Sequence, residues 1–182
     1  MLTQWQVAPR QSGSILDADV EDFSRVQEIN ATGTLTAIQA VAPLMTAQSE
    51  RFVQGRSGRR SLGRGAIVNL VSMAGEVGTP TVVAYGASKH AALGVTRTAA
   101  LELLPQGIRV NAVNPSWVDT PMVGTFAEAT RPTEEKVKML PLKRLAAAEE
   151  VAGVVHFLCG ADASYVNGVG LRVDSGLSGG PR

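Results

Sequence analysis

A phenol and an ammonium are spaced one helical turn apart in the segment VAYGASKHAALG at 83–94. Tyr85 precedes Lys89 by four positions, with small residues between them. In a helix, residues i and i+4 lie one above the other on the same face. A cation near a phenol in a dry site would lower the tyrosine pKa from its ordinary value of about 10. The spacing therefore predicts a tyrosine tuned for proton transfer, unless the helix is an ordinary one with a solvated lysine and a packed tyrosine.

Two short apolar runs on either side of this helix are typical of buried strands. The segments AIVNLVS at 66–72 and IRVNAVN at 108–114 are rich in β-branched residues and apolar on both alternating faces. A further helix, 147–160, and a third strand, GLRVDS at 170–175, follow. Alternating strands and helices with long connections predict a parallel α/β sheet, covered by helices on both faces.

The N-terminal quarter is predicted to be irregular at first and then helical. Residues 1–14 show no regular pattern, whereas 17–45 have the apolar spacing of helices. Asp17 and Asp19 are candidate N-caps. We expect Gly33 to mark a joint between a short helix and a longer one.

Two later segments are predicted to be loops. Residues 51–65 contain five arginines and four glycines, a composition that favours a flexible loop with solvated arginines over a phosphate site. A second long loop spans 115–147. Its apolar residues are equally compatible with core packing and with lining a substrate pocket; they are Trp117, Met122, Phe126 and Met139.

Three reactive groups are predicted to meet at one edge of the sheet. In open parallel sheets, functional groups collect beyond the carboxyl ends of the strands. Ser72 closes the first strand, Asn114-Pro115-Ser116 closes the second, and Tyr85 begins the helix between them. A hydroxyl, a phenol and an amine are therefore expected in one crevice. A serine at a strand end can instead simply bond to nearby backbone.

Four segments resemble the short-chain dehydrogenase/reductase family: IVNLVSMAG, YGASK, RVNAVNPSWVDTPM and YVNGVGLRVDSG. The resemblance runs from about residue 17 to the end. The resemblance implies a Rossmann-like three-layer parallel sheet. It implies hydride transfer between NAD or NADP, with NADP slightly favoured, and a small molecule that is a medium-sized ketone or secondary alcohol. It also implies a homodimer or homotetramer, whose main interface in the family is built from the helix pair equivalent to 34–47 and 91–104.

The resemblance assigns roles to four residues. Tyr85 would be the proton donor and acceptor for the substrate oxygen, and Ser72 would hydrogen-bond that oxygen. Lys89 would hold the nicotinamide ribose. Asn30, in the stretch EINATGT, would steady a water that links Lys89 to solvent.

The segment after the second strand matches the part of the family that packs beside the nicotinamide. Pro115, Val118 and Thr120 would pack there and bond its carboxamide, so that with Tyr85 and Lys89 they form the implied cofactor set. Ser116 departs from the family pattern, which has glycine after this proline. Its side chain would either crowd the cofactor or point outward.

The family's glycine-rich phosphate loop has no counterpart here. GRG at 63–65 and GVG at 168–170 both lead into strands, so neither presents a helix N-terminus to a pyrophosphate. Compared with the family, the chain is expected to be truncated at the N-terminus and to lack the adenosine half. It is then a single partial domain over residues 1–182, and the residue that selects NAD or NADP is missing.

Three functions remain open at this point. The chain is an oxidoreductase of the family, a non-catalytic homologue that dimerises through its alanine-rich helices, or a cofactor-independent acid–base enzyme such as an isomerase or dehydratase. A truncated gene product would suit the second as well as the first.

Composition excludes several other classes. The net charge of +1 gives no sign of a nucleic-acid partner. A single cysteine, Cys159, cannot form an internal disulfide, and neither a signal-peptide pattern nor a membrane-length apolar run is present, so we expect a cytoplasmic protein. His90 and His156 lack partners at ligand spacing, and no metal site is expected.

Overall fold

A computed structural model describes residues 2–3, 13–123 and 133–179. In these parts of the chain the structure has the strands β1 (Leu2–Thr3), β2 (Arg51–Gly55), β3 (Gly58–Gly63), β4 (Gly65–Leu70), β5 (Ile108–Pro115) and β6 (Gly170–Val173). It has the α-helices α1 (Val20–Gln27), α2 (Gly33–Thr46), α3 (Val83–Leu103), α4 (Thr133–Met139) and α5 (Ala148–Cys159).

The central sheet has four strands in the order β1-β4-β5-β6, and every neighbouring pair is parallel. Strand β4 pairs with β5 from Gly65↔Ile108 to Leu70↔Val113, and β5 pairs with β6 up to Pro115↔Val173. The carboxyl ends of these strands therefore lie at one edge. The predicted parallel α/β sheet is confirmed.

Helices pack on both faces of the sheet through buried apolar residues. On one face, Ile38 of α2 and Ala100 of α3 pack with Ile67, Ile108 and Val110. On the other face, Val151 and Leu158 of α5 pack with Val68 and Val113. The result is the predicted three-layer arrangement, in which β5 is buried on both faces.

The helical N-terminal segment follows the sequence prediction closely. Asp19 caps α1, since its carboxylate accepts hydrogen bonds from the backbone N–H groups of Glu21 and Asp22. Asp17 lies instead in a short 3₁₀ turn that Ser14 caps. The predicted joint is a π-helical turn, Glu28–Thr32, immediately before Gly33. Turns of this kind occur inside helices and often accompany functional sites.

The prediction of a flexible loop at 51–65 is wrong. Strands β2 and β3 form a two-stranded antiparallel ribbon. The Arg59 guanidinium stacks on the Phe52 ring at 3.8 Å from its centroid, and Arg60 donates to the Ser164 hydroxyl at 3.0 Å. Stacking and docking of long side chains thus stabilise strands whose composition favours a loop. At Gly63, which has a positive φ of 75°, a Cβ would lie 2.3 Å from the Gly107 carbonyl, so no larger residue fits.

Two further predictions need correction. The segment 1–14 contains the short strand β1, which pairs Leu2 with Val68. The predicted long loop 115–147 contains helix α4. Both elements are too short to show a clear hydrophobic period in the sequence. Backbone pairing or packing against the rest of the chain stabilises them instead. No helix among the described residues combines the length and the apolar character needed to cross a membrane.

Candidate active site

Helix α3 brings Tyr85 and Lys89 together at the carboxyl edge of the sheet. The Lys89 Nζ atom lies 5.4 Å from the centroid of the Tyr85 ring. Lys89 is 1% exposed, whereas Tyr85 is half-buried. The i, i+4 spacing thus places an ammonium in the protein interior beside the ring of a half-buried tyrosine.

The Lys89 ammonium is incompletely paired. Within the described parts of the chain, its single hydrogen bond is a long one, 3.4 Å from Nζ to the Leu70 carbonyl at the end of β4. An ammonium carries three donors, and buried donors are normally satisfied. The remaining donors are therefore suited to a ligand that brings hydroxyl or other acceptor groups to this crevice.

Ser72 presents its hydroxyl to the same phenol. It follows β4 and caps the 3₁₀ turn Met73–Gly75, where its Oγ accepts a hydrogen bond from the Ala74 N–H at 3.2 Å. Its side chain is also hydrogen-bonded to Tyr85. The strand-end serine, the phenol and the amine therefore lie together at the carboxyl edge of the sheet.

Asn30 supports this site from the π-helical turn. It is 2% exposed, and its Nδ2 donates to the Ser88 hydroxyl at 3.0 Å. Ser88 in turn donates to the Tyr85 carbonyl at 2.8 Å. Asn30 thus braces the first turn of α3 through Ser88, a residue that sequence reasoning missed. A hydroxyl one turn after a reactive tyrosine, on the face that packs inward, is the signal that could have identified it.

The residues predicted to pack beside the nicotinamide lie at the end of β5 and just beyond it. Pro115 closes the strand opposite Val173, and the Ser116 N–H donates to the Val173 carbonyl at 3.1 Å. Val118 forms a parallel bridge with Ala146, and the Thr120 hydroxyl donates to the Val118 carbonyl at 3.3 Å. These residues form a short ordered segment at the same edge of the sheet as Ser72.

The electrostatics of the site differ from the sequence prediction. Burial raises the pKa of Tyr85, and the hydrogen bond with Ser72 lowers it by less. Burial also lowers the pKa of Lys89 to about 7. The prediction of a phenol with a lowered pKa is therefore wrong for the chain by itself, because the interior that brings the two groups together also disfavours both of their charged forms.

The long segment after β5 contains a second buried cation. Lys136 of α4 is 2% exposed, and its Nζ lies 4.4 Å from the centroid of the Trp117 ring. Met122 and Met139 are 39% and 52% exposed, so neither is a core residue. Phe126 lies outside the described residues. Among the described residues, no group of three or more His, Cys, Asp and Glu side chains is arranged to hold a metal ion.

Comparison with known proteins gives a consistent result over nearly the whole chain. A family model described as enoyl-(acyl carrier protein) reductase matches residues 4–178. The chain is 42% identical over 173 residues to the short-chain dehydrogenase fogB of Aspergillus ruber, a match that covers 94% of this chain and 63% of fogB. The chain thus spans less than two thirds of that relative's length.

Solved structures show the same fold. Levodione reductase superposes with a TM-score of 0.83 at 30% identity, covering 96% of this chain and 64% of the other. Xylitol dehydrogenase bound to NAD⁺ superposes with a TM-score of 0.81 at 30% identity, covering 96% of this chain and 67% of the other. The sheet and the flanking helices are therefore arranged as in these two enzymes.

Proposed function

Since this chain belongs to the short-chain dehydrogenase/reductase family, we propose that it carries the reactive half of an oxidoreductase that interconverts a ketone and a secondary alcohol. The proposal rests on one observation above all. A buried ammonium with one long hydrogen bond lies beside a phenol that is itself hydrogen-bonded to a strand-end serine.

The residues present suit a nicotinamide dinucleotide. The unused donors of Lys89 are the groups that would hold ribose hydroxyls. Pro115, Val118 and Thr120 would flank the nicotinamide at the end of β5. When bound, such a cofactor supplies or accepts the hydride. Xylitol dehydrogenase, with NAD⁺ bound, is one structure that shares the fold.

The chain's own groups would manage the proton. In the direction of reduction, Tyr85 donates its phenolic proton to the substrate oxygen, which the Ser72 hydroxyl holds in place. The raised pKa keeps the phenol protonated and available as an acid. Lys89, with a pKa of about 7, is able to return a proton near neutrality. Asn30 and Ser88 hold the backbone of Tyr85 in position for this exchange.

Replacement of Tyr85 tests the proposal directly. The chain is assayed for oxidation of NADH and of NADPH with a panel of ketones, before and after Tyr85→Phe. We expect turnover to fall by about a thousandfold, the scale of general acid catalysis. Tyr165→Phe is the matched control, because Tyr165 is the chain's other tyrosine and is fully exposed. Equal rates in the two variants would refute the assignment.

Cofactor binding is tested separately. Titration of the chain with NADH and with NADPH, followed by fluorescence, compares the two coenzymes; a preference for NADPH would support the expectation from sequence. Failure of both to bind would remove the redox function for this chain. Turnover without nicotinamide that Tyr85→Phe abolishes would indicate the cofactor-independent acid–base function instead.

A specific surface favours self-association as a second function. Helices α2 and α3 border an open apolar groove of about 860 Å³, whose lining includes Leu35, Ile38, Ala42, Val95 and Ala99. Leu44 and Leu101 nearby are 68% and 76% exposed. An apolar surface of this kind is typical of a subunit interface, and we propose a second copy of the chain as its partner.

Leu35→Glu tests this surface. Leu35 lines the groove and is 42% exposed, so a charge there should dissociate an oligomer without unfolding the chain. Leu142→Glu is the control, since Leu142 is 61% exposed and does not line the groove. Sedimentation velocity should show a smaller species for Leu35→Glu alone. Identical sedimentation of both variants and the parent would contradict the interface.

A further inference from the structure

The turn that carries Ser72 is tied to the two neighbouring strands by one carboxylate. Glu76 follows that turn, and its side chain is 11% exposed. The Asn114 Nδ2 of β5 donates to Glu76 Oε1 at 2.5 Å, and Arg172 of β6 forms an ion pair with Glu76 Oε2. A single side chain therefore connects the ends of β4, β5 and β6.

Backbone hydrogen bonds couple Glu76 to Ser72. The Gly75 N–H donates to the Ser72 carbonyl at 2.9 Å, and the Glu76 N–H donates to the Met73 carbonyl at 2.9 Å. The turn is thus closed from Ser72 through Glu76. Glu76 and the residue that presents its hydroxyl to Tyr85 therefore belong to one hydrogen-bonded turn.

Close packing leaves this turn little room. A Cβ at Gly75 would lie 2.8 Å from the Lys89 carbonyl and 2.7 Å from Val71. A Cβ at Gly170 would lie 2.7 Å from Asn114 Nδ2 and 3.0 Å from Glu76 Oε1. The turn is pressed against α3 on one side and held by the Glu76 contacts on the other.

The same carboxylate also reaches the second half of the site. Asn114 is fully buried and directly precedes Pro115. Burying a carboxylate costs free energy that an arginine and an amide donor offset only when their geometry is good. This hydrogen-bonded network therefore holds two parts of the site in place, the Ser72 turn and the end of β5 at Pro115.

We propose that Glu76 is a positioning residue for the reaction, which through Asn114 and Arg172 holds the Ser72 hydroxyl against Tyr85 and holds the end of β5. This inference rests on the proposed function. Its primary test is independent of turnover.

The test is a titration of Tyr85 alone. The chain has two tyrosines, so in a Tyr165→Phe background the phenolate absorbance reports Tyr85 only. Ser72→Ala should raise the Tyr85 pKa, because the serine hydrogen bond lowers it. Glu76→Ala should raise it in the same direction, and Ser72→Ala combined with Glu76→Ala should raise it no further than Ser72→Ala. Glu76→Gln, which keeps an oxygen that accepts from Asn114, should recover part of the change.

For Glu76→Ala, a positioning role and a simple electrostatic effect predict changes of opposite sign in the Tyr85 pKa. Loss of a nearby negative charge would by itself lower the pKa of a phenol. An unchanged or lowered Tyr85 pKa in Glu76→Ala would therefore overturn the proposal. Glu150→Ala, which removes another arginine-paired carboxylate, on α5, is the matched control and should leave Tyr85 unchanged. If Glu76→Ala fails to fold, Asn114→Ala removes the amide contact of the carboxylate without changing the net charge. A raised Tyr85 pKa would then support positioning, and an unchanged or lowered one would overturn it.

A kinetic measurement extends the test. If the parent turns over, Glu76→Ala should lower kcat by about tenfold with little change in KM, and Glu76→Gln should recover part of that loss. An unchanged kcat would contradict positioning. A parent without turnover would refute the proposed function, whereas the Tyr85 titration would still decide the role of Glu76.

Discussion

Two buried cations occupy opposite ends of the sheet, and they are paired very differently. Lys89, at the carboxyl edge, is 1% exposed and makes one hydrogen bond, of 3.4 Å, to the part of the chain that the structure describes. Arg109, at the start of β5, is 5% exposed and donates to the carbonyls of Leu158, Val166 and Gly160 at 3.0, 3.2 and 3.4 Å. Arg109 therefore makes three hydrogen bonds where Lys89 makes one, although the Arg109 Nε atom is buried without a partner among the described residues.

The difference separates a reactive cation from a structural one. Arg109 connects β5 to the end of α5 and to the chain that follows, and its high intrinsic pKa keeps it charged. Burial lowers the pKa of Lys89 to about 7, so its proton is exchangeable near neutrality. An incompletely paired buried ammonium lowers stability, and a ligand that pairs it restores some of that loss.

The largest effect is expected for Lys89→Met. Nicotinamide-dependent turnover should fall by about a thousandfold or more, since both ribose binding and proton return depend on the ammonium. The free energy of unfolding at pH 7 should not fall, because an apolar side chain of similar length replaces a poorly paired charge. Steady-state kinetics and urea unfolding check the two parts, and a large loss of stability would break the comparison.

Arg109→Met should show the reverse pattern. One buried and two partly buried carbonyls lose their donor, so the free energy of unfolding should fall by about 3 kcal/mol. Turnover per folded molecule should change by less than about twofold, since the residue lies at the far end of β5 and its contacts are all backbone carbonyls. Urea denaturation and active-site-normalised rates measure both. Preserved stability would show that Arg109 is also poorly paired.

The pH dependence of stability sharpens the contrast. The Lys89 pKa is about 7 in the folded chain against 10.5 for a free lysine, so between these values the unfolded state binds one more proton. Stability should therefore rise with pH across this window, by at most about 1.4 kcal/mol per pH unit. Urea unfolding between about pH 7.5 and 9.5 stays below the range where Tyr85 titrates. Lys89→Met should lose most of this slope and Arg109→Met should keep it; the remainder comes from Lys136, whose pKa burial also lowers.

The smallest effect is expected for Ser88→Ala. The Asn30 amide loses its acceptor and the Tyr85 carbonyl loses a donor, so stability should fall by about 1–2 kcal/mol. Turnover should fall by less than in Lys89→Met, because the reacting groups remain. Thr36→Ala is a matched control, since its hydroxyl also donates to a helix carbonyl but is exposed. Equal stability losses in the two variants would argue against a bracing role for Ser88.

Strands and helices with strong apolar patterns were predictable, and weakly patterned ones were not. Strands β4, β5 and β6 lie within a residue or two of their predicted positions, because buried parallel strands need continuous β-branched runs. The ribbon of β2 and β3 has no such run. Its stability comes from contacts such as Arg60 with Ser164, residues 104 positions apart, which no local pattern reveals.

The reactive groups show the same division. Helical spacing placed Tyr85 and Lys89 on one face, and strand ends placed Ser72 near them. The Asn30–Ser88 link and the Asn114–Glu76–Arg172 network join distant segments, so neither was visible in sequence.

The sequence by itself determined the strongly patterned strands and helices, the parallel sheet and the family, because these follow from local periodicity and short motifs. Only the tertiary structure decided which charges are buried and how well they are paired. Desolvation depends on everything that packs around a group, which the spacing of two residues does not show. Burial raises the pKa of Tyr85 and lowers that of Lys89, so both shifts favour the neutral forms. The spacing by itself suggested an ion pair instead.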